Sequence, residues 1–507
     1  MKQFFLSSVL MLLVTITSNS QNLTARILNG NNEPLPFATV KIENQAELIS
    51  NNEGYFSFNE NQISSSSSIK VSFIGYVSQQ LTLAELKSQH LIITLLPASF
   101  ELENITISNK KPDPLQIITE AKNRLPKNYT SLESSTKRKL FFRESDIFKP
   151  SKLNLDITKS TGFSKSQLKE VNADLKNFTN KFISNPAQEY KDILGNYYSG
   201  KVKTKDDKTF FLSKLDVIKA TNIKGNMSAA SFDDIEENGT NLLLKHLDTT
   251  KFYRVKSGLF GSRDTVTLNK EYNSKDKKKA VSKVVSNKFK IQTFLAKQYF
   301  NKHKLNFITE TNLYSYILQE TIYDDTENDI IYVISFSPRK SKAIYQGTLY
   351  INESDYAVIK CNYELAEGKK VSGFNLKFLL GVKASENISK GTLLFKKDRL
   401  NKNYNLQYAY EESGQYFYVN RPLKFIELTK EEKDVVALDI KVEGNTVTKT
   451  ELLTITKEEI SDTDFTNFKE TDFDFIKLNQ YDPEIWKNHI SIEPSHAMKQ
   501  YRTSNDF

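Results

Sequence analysis

The sequence predicts a mainly β protein with helices, an α+β fold in which a small N-terminal β-sandwich precedes a larger antiparallel sheet. Among the 507 residues are 33 Phe and 24 Tyr, and aromatic residues favour strands and are scarce in disordered chains. Short stretches in which apolar and polar residues alternate recur in residues 23–108 and again after residue 305. The chain is too long for one ordinary core, so two or three domains are expected.

Residues 1–20 have the order of a secretory signal peptide. Lys2 supplies a positive charge, Phe4–Ile16 is apolar, and Ser18–Ser20 offers small residues for cleavage before Gln21. The apolar run is shorter than the roughly 20 residues that span a bilayer, so we expect export and not membrane anchoring. No Cys follows this run, and no later apolar run is long enough to cross a membrane. The mature chain is therefore predicted to have no transmembrane helix.

Cys361 is the only cysteine, so no internal disulfide can form. It lies in the alternating stretch Val358–Tyr363, which predicts a buried strand position. The net charge of +9 would suit an anionic partner. However, the densest basic cluster, Lys275–Lys279, has no aromatic residue near it until Phe289, whereas nucleic-acid platforms interleave the two. We therefore predict no nucleic-acid partner.

Residues 21–108 are predicted to form a seven-stranded antiparallel β-sandwich. Short alternating runs are separated by polar turns, and Asn51–Gly54 is a hairpin signal because Asn and Gly tolerate positive φ. Several short strands in so small a segment are typical of two packed sheets. The clearest predicted strands are Leu23–Ile27, Ala38–Ile42, Tyr55–Phe58, Ile69–Tyr76 and His90–Leu96.

Three motifs in this segment resemble those of carboxypeptidase regulatory-like domains, which are transthyretin-like β-sandwiches. Asn32–Val40 is similar to the family's opening G-x-P-L-x-x-A-x-V, and Asn52–Phe58 to its D-x-G-x-F-x-L hairpin. Phe73–Tyr76 is similar to a strand end of the pattern y-i-G-Y. The residues that carry these structural motifs are Pro34, Ala38, Gly54, Phe56, Gly75 and Tyr76.

The family resemblance implies a module for packing or binding. Asn32 and Asn52 stand where the family usually has Gly and Asp, and both tolerate the turn geometry. Such domains accompany peptidases as accessory modules, and in Gram-negative envelopes they often precede outer-membrane barrels. They carry no hydrolytic residues themselves, so the resemblance implies no peptide cleavage. It places the expected location in the periplasm or at the periplasmic face of the outer membrane.

A linker is predicted at residues 109–114, because Pro112 and Pro114 disfavour helix and sheet. The next segment, residues 115–304, has the pattern of a mixed helix and strand region. Its first amphipathic helix begins at Leu115 and is predicted to end at Pro126. A strand is predicted over residues 136–143, and further helices over residues 164–198, 229–247 and 280–299.

Residues 305–460 are predicted to form an antiparallel β-meander with helices on one face. Tyr345–Asn352 followed by Asp355–Val358 is similar to a hairpin of curved-sheet periplasmic proteins, a sheet that lipoprotein carriers share. The order of sandwich, linker helix and meander also resembles the periplasmic part of an uncharacterised outer-membrane family. The predicted strands are Leu313–Leu318, Ile330–Phe336, Ala343–Ile351, Tyr356–Tyr363, Gly391–Phe395, Tyr404–Tyr410, Phe417–Glu427 and Val435–Val442.

Residues 461–507 are predicted to be a polar C-terminal tail, the last dozen of them poorly structured. Four phenylalanines in the tail are expected to cap the sheet or to dock on a partner, namely Phe465, Phe468, Phe473 and Phe475.

A search for chemistry identifies no catalytic, cofactor-binding or metal-ligating residue. The five histidines lack zinc-site spacing, and no G-x-S-x-G elbow or phosphate-binding loop is present. Ser67–Lys70 and Ser134–Lys137 match S-x-x-K, as expected by chance in a chain rich in Ser and Lys. The acidic groups that we interpret as solvated turns are Asp324-Asp325, Asp233-Asp234-Glu236-Glu237 and Asp462, Asp464, Asp472 and Asp474.

The sequence therefore predicts a non-enzymatic, exported envelope protein that binds a lipid, a glycan or a protein partner. Two alternatives remain open at this level, a hydrolase of unrecognised type and an accessory partner of an outer-membrane transporter. An open sheet face lined by apolar residues would support a binding protein, whereas two facing carboxylates in a cleft would favour a hydrolase. The sequence does not predict an oligomeric state.

Overall fold

A computed structural model describes residues 22–98, 112–129, 134–161, 164–184, 186, 188–203, 209–224, 252–257, 260–267, 282–301, 303–398, 402–428 and 435–503. The predicted signal peptide and the predicted helix over residues 229–247 lie outside this range. Contacts divide the chain into two compact units. The first contains Met1–Leu102, Tyr323–Asn328 and Tyr481–Gln500, and the second contains Glu103–Ile322, Asp329–Gln480 and Tyr501–Phe507.

The described residues form a mainly β structure with few helices and mostly antiparallel sheets, which confirms the predicted fold class at this level. The helices are α1 (Leu83–Ser88), α2 (Pro114–Asn128), α3 (Lys165–Ser184), α4 (Lys283–Lys297), α5 (Lys377–Leu380), α6 (Asp462–Asn467) and α7 (His496–Gln500).

Seven strands lie in the first unit and fourteen in the second among the described residues. Those of the first unit are β1 (Asn22–Asn29), β2 (Thr39–Ile42), β3 (Leu48–Ile49), β4 (Tyr55–Asn59), β5 (Ser68–Ser72), β6 (Gln79–Thr82) and β7 (Ile92–Leu95). The others are β8 (Thr136–Ser160), β9 (Gln188–Lys203), β10 (Thr209–Lys224), β11 (Phe252–Ser257), β12 (Phe260–Thr267), β13 (Tyr314–Asp324), β14 (Asp329–Pro338), β15 (Tyr345–Asn352), β16 (Val358–Leu365), β17 (Ser372–Leu376), β18 (Val382–Lys397), β19 (Tyr404–Glu427), β20 (Val435–Glu459) and β21 (Ile476–Leu478).

The first unit is built on two small sheets that share one core. One sheet has the order β4-β1-β7 and the other β3-β2-β5-β6. Apolar side chains from both sheets, such as Ile27 and Val71, are fully buried in a single cluster. The prediction that every pair is antiparallel is wrong in one place, because β7 runs parallel to β1. These are the first and last strands of the unit, so the chain between them supplies the long connection that a parallel pair requires.

The C-terminal segment of the first unit is ordered by contacts with the sandwich strands. The Asn51 side-chain amide donates hydrogen bonds to the carbonyls of Glu493 and Pro494. Trp486 and Met498 are buried. The prediction of a poorly structured final dozen residues is therefore wrong for residues 496–503, because burial of these apolar side chains stabilises α7.

The second unit is built on one large sheet. Its main path is β13-β14-β15-β16-β18-β19-β20-β8-β9-β10-β21, with β11, β12 and β17 attached at its sides. The path through β20 confirms an antiparallel meander. However, β20 then pairs with β8 along almost its whole length, so the sheet continues across the boundary predicted at residue 305.

Strand β8 contacts two helices on one face of this sheet. Phe142 contacts α4, and Phe148, three side chains further along that face, contacts α3. The register with β20 shifts at Ser151, so the odd-numbered Leu153 then faces the same way and joins the same cluster. Helices α3 and α4 therefore lie on one face of this sheet, α4 over strands that precede the segment predicted to carry the helices.

The opposite face of β9 is covered by the start of the tail. Phe465 of α6 is fully buried against Gly200, and Phe468 stacks on Tyr198 at a centroid distance of 4.4 Å. The Nζ of Lys214 donates to the carbonyl oxygens of Phe465 and Phe468 at 2.6 and 2.7 Å. These two phenylalanines thus cap the sheet.

Three predicted element boundaries are wrong. Helix α3 ends at Ser184 and a strand begins at Gln188, because the segment beyond it pairs with both β8 and β10. Pro126 lies inside α2 and does not end it. Residues 404–427 form one strand and not two, since β20 pairs with it continuously across Gly414.

Candidate functional site

A pocket of about 440 Å³ lies between α4 and the sheet of the second unit. Its floor is formed by β8, β9, β10 and β20, and its wall by α4 and the residues just after that helix. The residues that line it are Ser134, Thr136, Arg138, Tyr197, Ser199, Phe211, Leu212, Ser213, Gln292, Leu295, Ala296, Tyr299 and Lys457.

The register of the sheet brings the floor residues together from distant parts of the sequence. Lys457 of β20 pairs with Arg138 of β8, which in turn pairs with Tyr197 of β9. In the neighbouring row, Thr136 pairs with Ser199. Because side chains alternate along a strand, residues paired in this way point to the same face. Strand pairing therefore determines which residues form the floor of the pocket.

Two cations lie on one side of the floor. The Nζ of Lys457 donates to Oδ1 of Asn405 at 2.7 Å. Burial lowers the pKa of Lys457, and the nearby Arg138 guanidinium lowers it further, whereas Asp398 and Glu459 act in the opposite direction. None of the described lining residues is Asp or Glu. The pocket thus offers a positive site to a ligand.

The remaining polar groups of the pocket are hydroxyls and one amide. The Oγ1 of Thr136 and the Oγ of Ser199 form a hydrogen bond of 2.9 Å, and the Oγ of Ser213 donates to Oε1 of Gln292 at 3.1 Å. Burial raises the pKa of Tyr197, so its hydroxyl stays protonated at neutral pH. These groups suit hydrogen bonding to a polar head and offer no activated nucleophile.

Apolar side chains complete the pocket. Leu295 of α4 is buried, whereas Phe211 of β10, which lies on the same sheet face as Ser199 and Ser213, is 47% exposed. Its exposure gives one side of the pocket an apolar surface open to solvent. The part of the same face under α3 is different, because Phe178 and Phe182 fill it. The described sheet–helix interface is thus open at α4 and closed at α3.

The six motif residues of the first unit occupy structural positions. Gly54 has φ of +79°, and a Cβ there would lie 2.6 Å from the Ile27 carbonyl oxygen, so only glycine fits. Ala38 and Phe56 are buried in the sandwich core. The other three lie at turns and bridges, where Gly75 has φ of +86° and Pro34 and Tyr76 form isolated bridges with Leu28 and Pro97.

Of the acidic groups considered for a hydrolase, Asp324 and Asp325 lie together at the end of β13, where burial and the neighbouring Asp325 raise the pKa of Asp324. Asp325 accepts hydrogen bonds from the backbone and hydroxyl of Ser78. Burial alone would raise the pKa of Asp325. These hydrogen bonds outweigh that effect, so the pKa of Asp325 is lowered. The group at residues 233–237 lies outside the described range. Within that range, no three His, Cys, Asp or Glu side chains are grouped where they would hold a metal ion.

The S-x-x-K match nearest the pocket does not form a catalytic pair. Ser134 lines the pocket, but the Nζ of Lys137 lies 2.8 Å from Glu458. In the alternating pattern of β8, Lys137 points away from the face that carries Arg138. Cys361, predicted to be buried, is fully buried in β16, and burial raises the pKa of its thiol. Among the described helices, none combines the length and the apolar character that crossing a bilayer requires.

Comparison with known proteins finds a family match for the N-terminal segment. None of the curated proteins compared with the chain matches it. Among solved structures, the chain is similar to a DUF1329 family protein from Desulfovibrio piger, with 10% identity, 70% of this chain and 98% of that chain covered, and a TM-score of 0.18. At this TM-score the similarity supports no conclusion. Residues 25–107 match the family model of the CarboxypepD_reg-like domain, so this segment is similar to carboxypeptidase regulatory-like domains.

Proposed function

We propose that this chain is an exported, non-enzymatic envelope protein and that its α4 pocket binds an anionic amphiphile, such as a fatty acid or an acidic lipid. The observation that carries the proposal is the pairing of Arg138 and Lys457 beside an apolar wall. Envelope location is supported by the pattern of residues 1–20 and by the regulatory-like domain.

The size and lining of the pocket favour a small amphiphile. Ligand pockets usually measure roughly 300–1,000 Å³ and combine apolar walls with a few polar groups that orient the ligand. The pocket, at about 440 Å³, falls within this range. The acyl part would lie against Phe211 and Leu295, and the head group would receive hydrogen bonds from Arg138 and Lys457. A guanidinium and an ammonium side by side match a carboxylate or phosphate.

Removing the two cations is expected to weaken binding. We expect the double variant R138Q/K457Q to bind a fluorescent fatty acid at least about tenfold more weakly, because a hydrogen bond to a charged group contributes roughly 1.5–3 kcal/mol. Titration of the purified mature chain with the fluorescent fatty acid measures this change. Competition by an unlabelled acidic lipid and by the matching neutral alcohol tests whether the charge is recognised.

A matched control separates the pocket from the overall charge. K149Q/K152Q removes the same charge from exposed positions of the same strand, β8, and is expected to bind as the wild type does. Equal weakening in both double variants would contradict the pocket assignment. Competition by an acidic glycan and not by the lipid would replace the amphiphile with a saccharide.

A further inference from the structure

A second surface of the large sheet carries apolar side chains that no described element covers. The hairpin strand β17 leads through α5 and Gly381 into β18, and every residue of β17 is exposed. We define residues 371–380 as the apolar tip. Its exposed apolar side chains are Val371 (43%), Phe374 (51%), Leu376 (37%), Phe378 (99%) and Leu379 (73%).

The exposure of the apolar tip is unusual for a protein surface. Single exposed apolar residues are common, but a contiguous group of large ones marks an interaction site. Phe378 is exposed almost completely, and Leu379 follows it directly. A binding partner would remove both side chains from water.

The backbone holds the apolar tip in a defined conformation. Gly381 ends α5 with φ of +66°, and a Cβ there would lie 2.1 Å from the carbonyl oxygen of Asn420. The amide of Asn420 donates to the carbonyl of Gly381 at 2.8 Å. Strand β17 also pairs with β18 along all five of its residues. The apex is therefore presented by the sheet, which lowers the entropy lost on binding.

The apex of the apolar tip is basic, whereas one acidic residue, Glu386, pairs with Ser372 at its base. From Lys369 to Ser385 the sequence contains four lysines and no acidic residue, the lysines being Lys369, Lys370, Lys377 and Lys383. Two of them lie over tyrosine rings of β19, with Lys377 Nζ 4.0 Å from the ring centroid of Tyr418 and Lys383 Nζ 5.1 Å from that of Tyr416. The apolar apex matches the acyl region of a bilayer surface, and the lysines and tyrosines behind it match the head-group level.

We propose that the apolar tip docks on an anionic lipid surface, with Phe378 and Leu379 entering the acyl boundary and the four lysines lying at the head groups. Each lysine near an anionic surface contributes attraction, and partial insertion of the apex adds apolar burial. This docking is peripheral and does not depend on the α4 pocket. The alternative is that the apolar tip binds a protein partner, in which case the wild type should not sediment with vesicles in the following test.

Sedimentation with lipid vesicles tests the proposal. Wild-type protein is expected to sediment with vesicles of phosphatidylcholine and phosphatidylglycerol, and less with phosphatidylcholine alone or at high salt. F378S/L379S is expected to partition roughly a hundredfold more weakly, because two large apolar side chains lose their burial. The matched control L115S/I317S removes two exposed apolar residues elsewhere and should sediment like the wild type.

A dye at the apex provides a second measurement. Because Cys361 is the only cysteine and is buried, a cysteine introduced by F378C can be labelled selectively with an environment-sensitive dye. The dye emission is expected to shift to the blue on addition of anionic vesicles, whereas the same dye on I317C should not respond. No sedimentation by the wild type, or equal sedimentation by F378S/L379S, would overturn the proposal. R138Q/K457Q should still sediment, so failure of the pocket and failure of the tip are distinguishable.

Discussion

Replacing Arg143 with methionine is expected to lower the free energy of unfolding of the second unit by about 3–5 kcal/mol. Arg143 Nε and Nη2 each donate to a carboxylate oxygen of Asp192 at 2.7 Å, and Nη1 lies 3.9 Å from Glu451. The Asp192 side chain is fully buried, and Tyr408 donates to Glu451 at 2.9 Å. The substitution would leave two carboxylates in the core without their cation. Guanidinium unfolding followed by circular dichroism measures the loss.

The pH dependence gives this prediction a second readout. Burial raises the pKa of Glu451 even with Arg143 present. A carboxyl whose folded-state pKa is raised favours folding at low pH and loses that contribution as the pH rises through the folded pKa. The loss of unfolding free energy caused by R143M should therefore become smaller as the pH is lowered.

A part-buried arginine with weak contacts is the control for this experiment. Arg124 of α2 lies 3.8 Å from Glu120 and 4.8 Å from the ring centroid of Tyr356, so R124M should change stability by at most about 1 kcal/mol. If R143M lowered the free energy of unfolding no more than R124M does, the buried contacts of Arg143 with Asp192 and Glu451 would contribute little to the stability of the sheet.

Replacing Phe307 with alanine is expected to destabilise the second unit by about 3–5 kcal/mol. Phe307 is fully buried and stacks on Phe336 at a centroid distance of 4.2 Å, with the rings of Tyr314, Tyr345 and Tyr363 around it. Its removal would leave a cavity among large rings that cannot close over it. The loss is measured from the midpoint and slope of guanidinium unfolding.

The matched control for this substitution is the same change at an exposed position. Phe378 is 99% exposed, so F378A should leave the free energy of unfolding within about 0.5 kcal/mol of the wild type. Similar losses for F307A and F378A would contradict the packing described for the aromatic cluster.

Local signals made the first unit predictable from the sequence. The hairpin at Asn51–Gly54 depends on residues that tolerate positive φ, and the structure places Gly54 in that conformation. The predicted strand that follows is present, and its alternation places Phe56 and Phe58 in the core. The parallel pairing of β7 with β1 was missed because pairing over that distance leaves no local pattern.

The large sheet was predictable in part for the same reason. Its meander follows consecutive hairpins, which the sequence shows as alternating runs between turns. The pairing of β20 with β8 joins strands about three hundred residues apart, as in Lys457 with Arg138, and no local pattern reports it. The bulge at Ser151 also reverses the alternation within β8, which hides its continuous buried face.

The pocket could not be predicted from the sequence because no motif encodes it. Its cations are single residues on two strands, and each looks like an ordinary exposed charge in its own stretch. Only the register places Arg138 beside Lys457, and only the packing of α4 adds Leu295 above them. The apolar tip left a stronger signal, the unbroken run from Phe378 to Leu380 among lysines, which the sequence analysis did not single out.

The central claim is that the α4 pocket holds an anionic amphiphile, and native mass spectrometry of the chain expressed from Gln21 tests it most directly. We expect the purified protein to carry an added mass at fixed stoichiometry, which organic extraction releases as an acidic lipid, and R138Q/K457Q to lose most of it. K149Q/K152Q should keep it. A bare protein, or an added mass that the pocket variant retains unchanged, would contradict the claim.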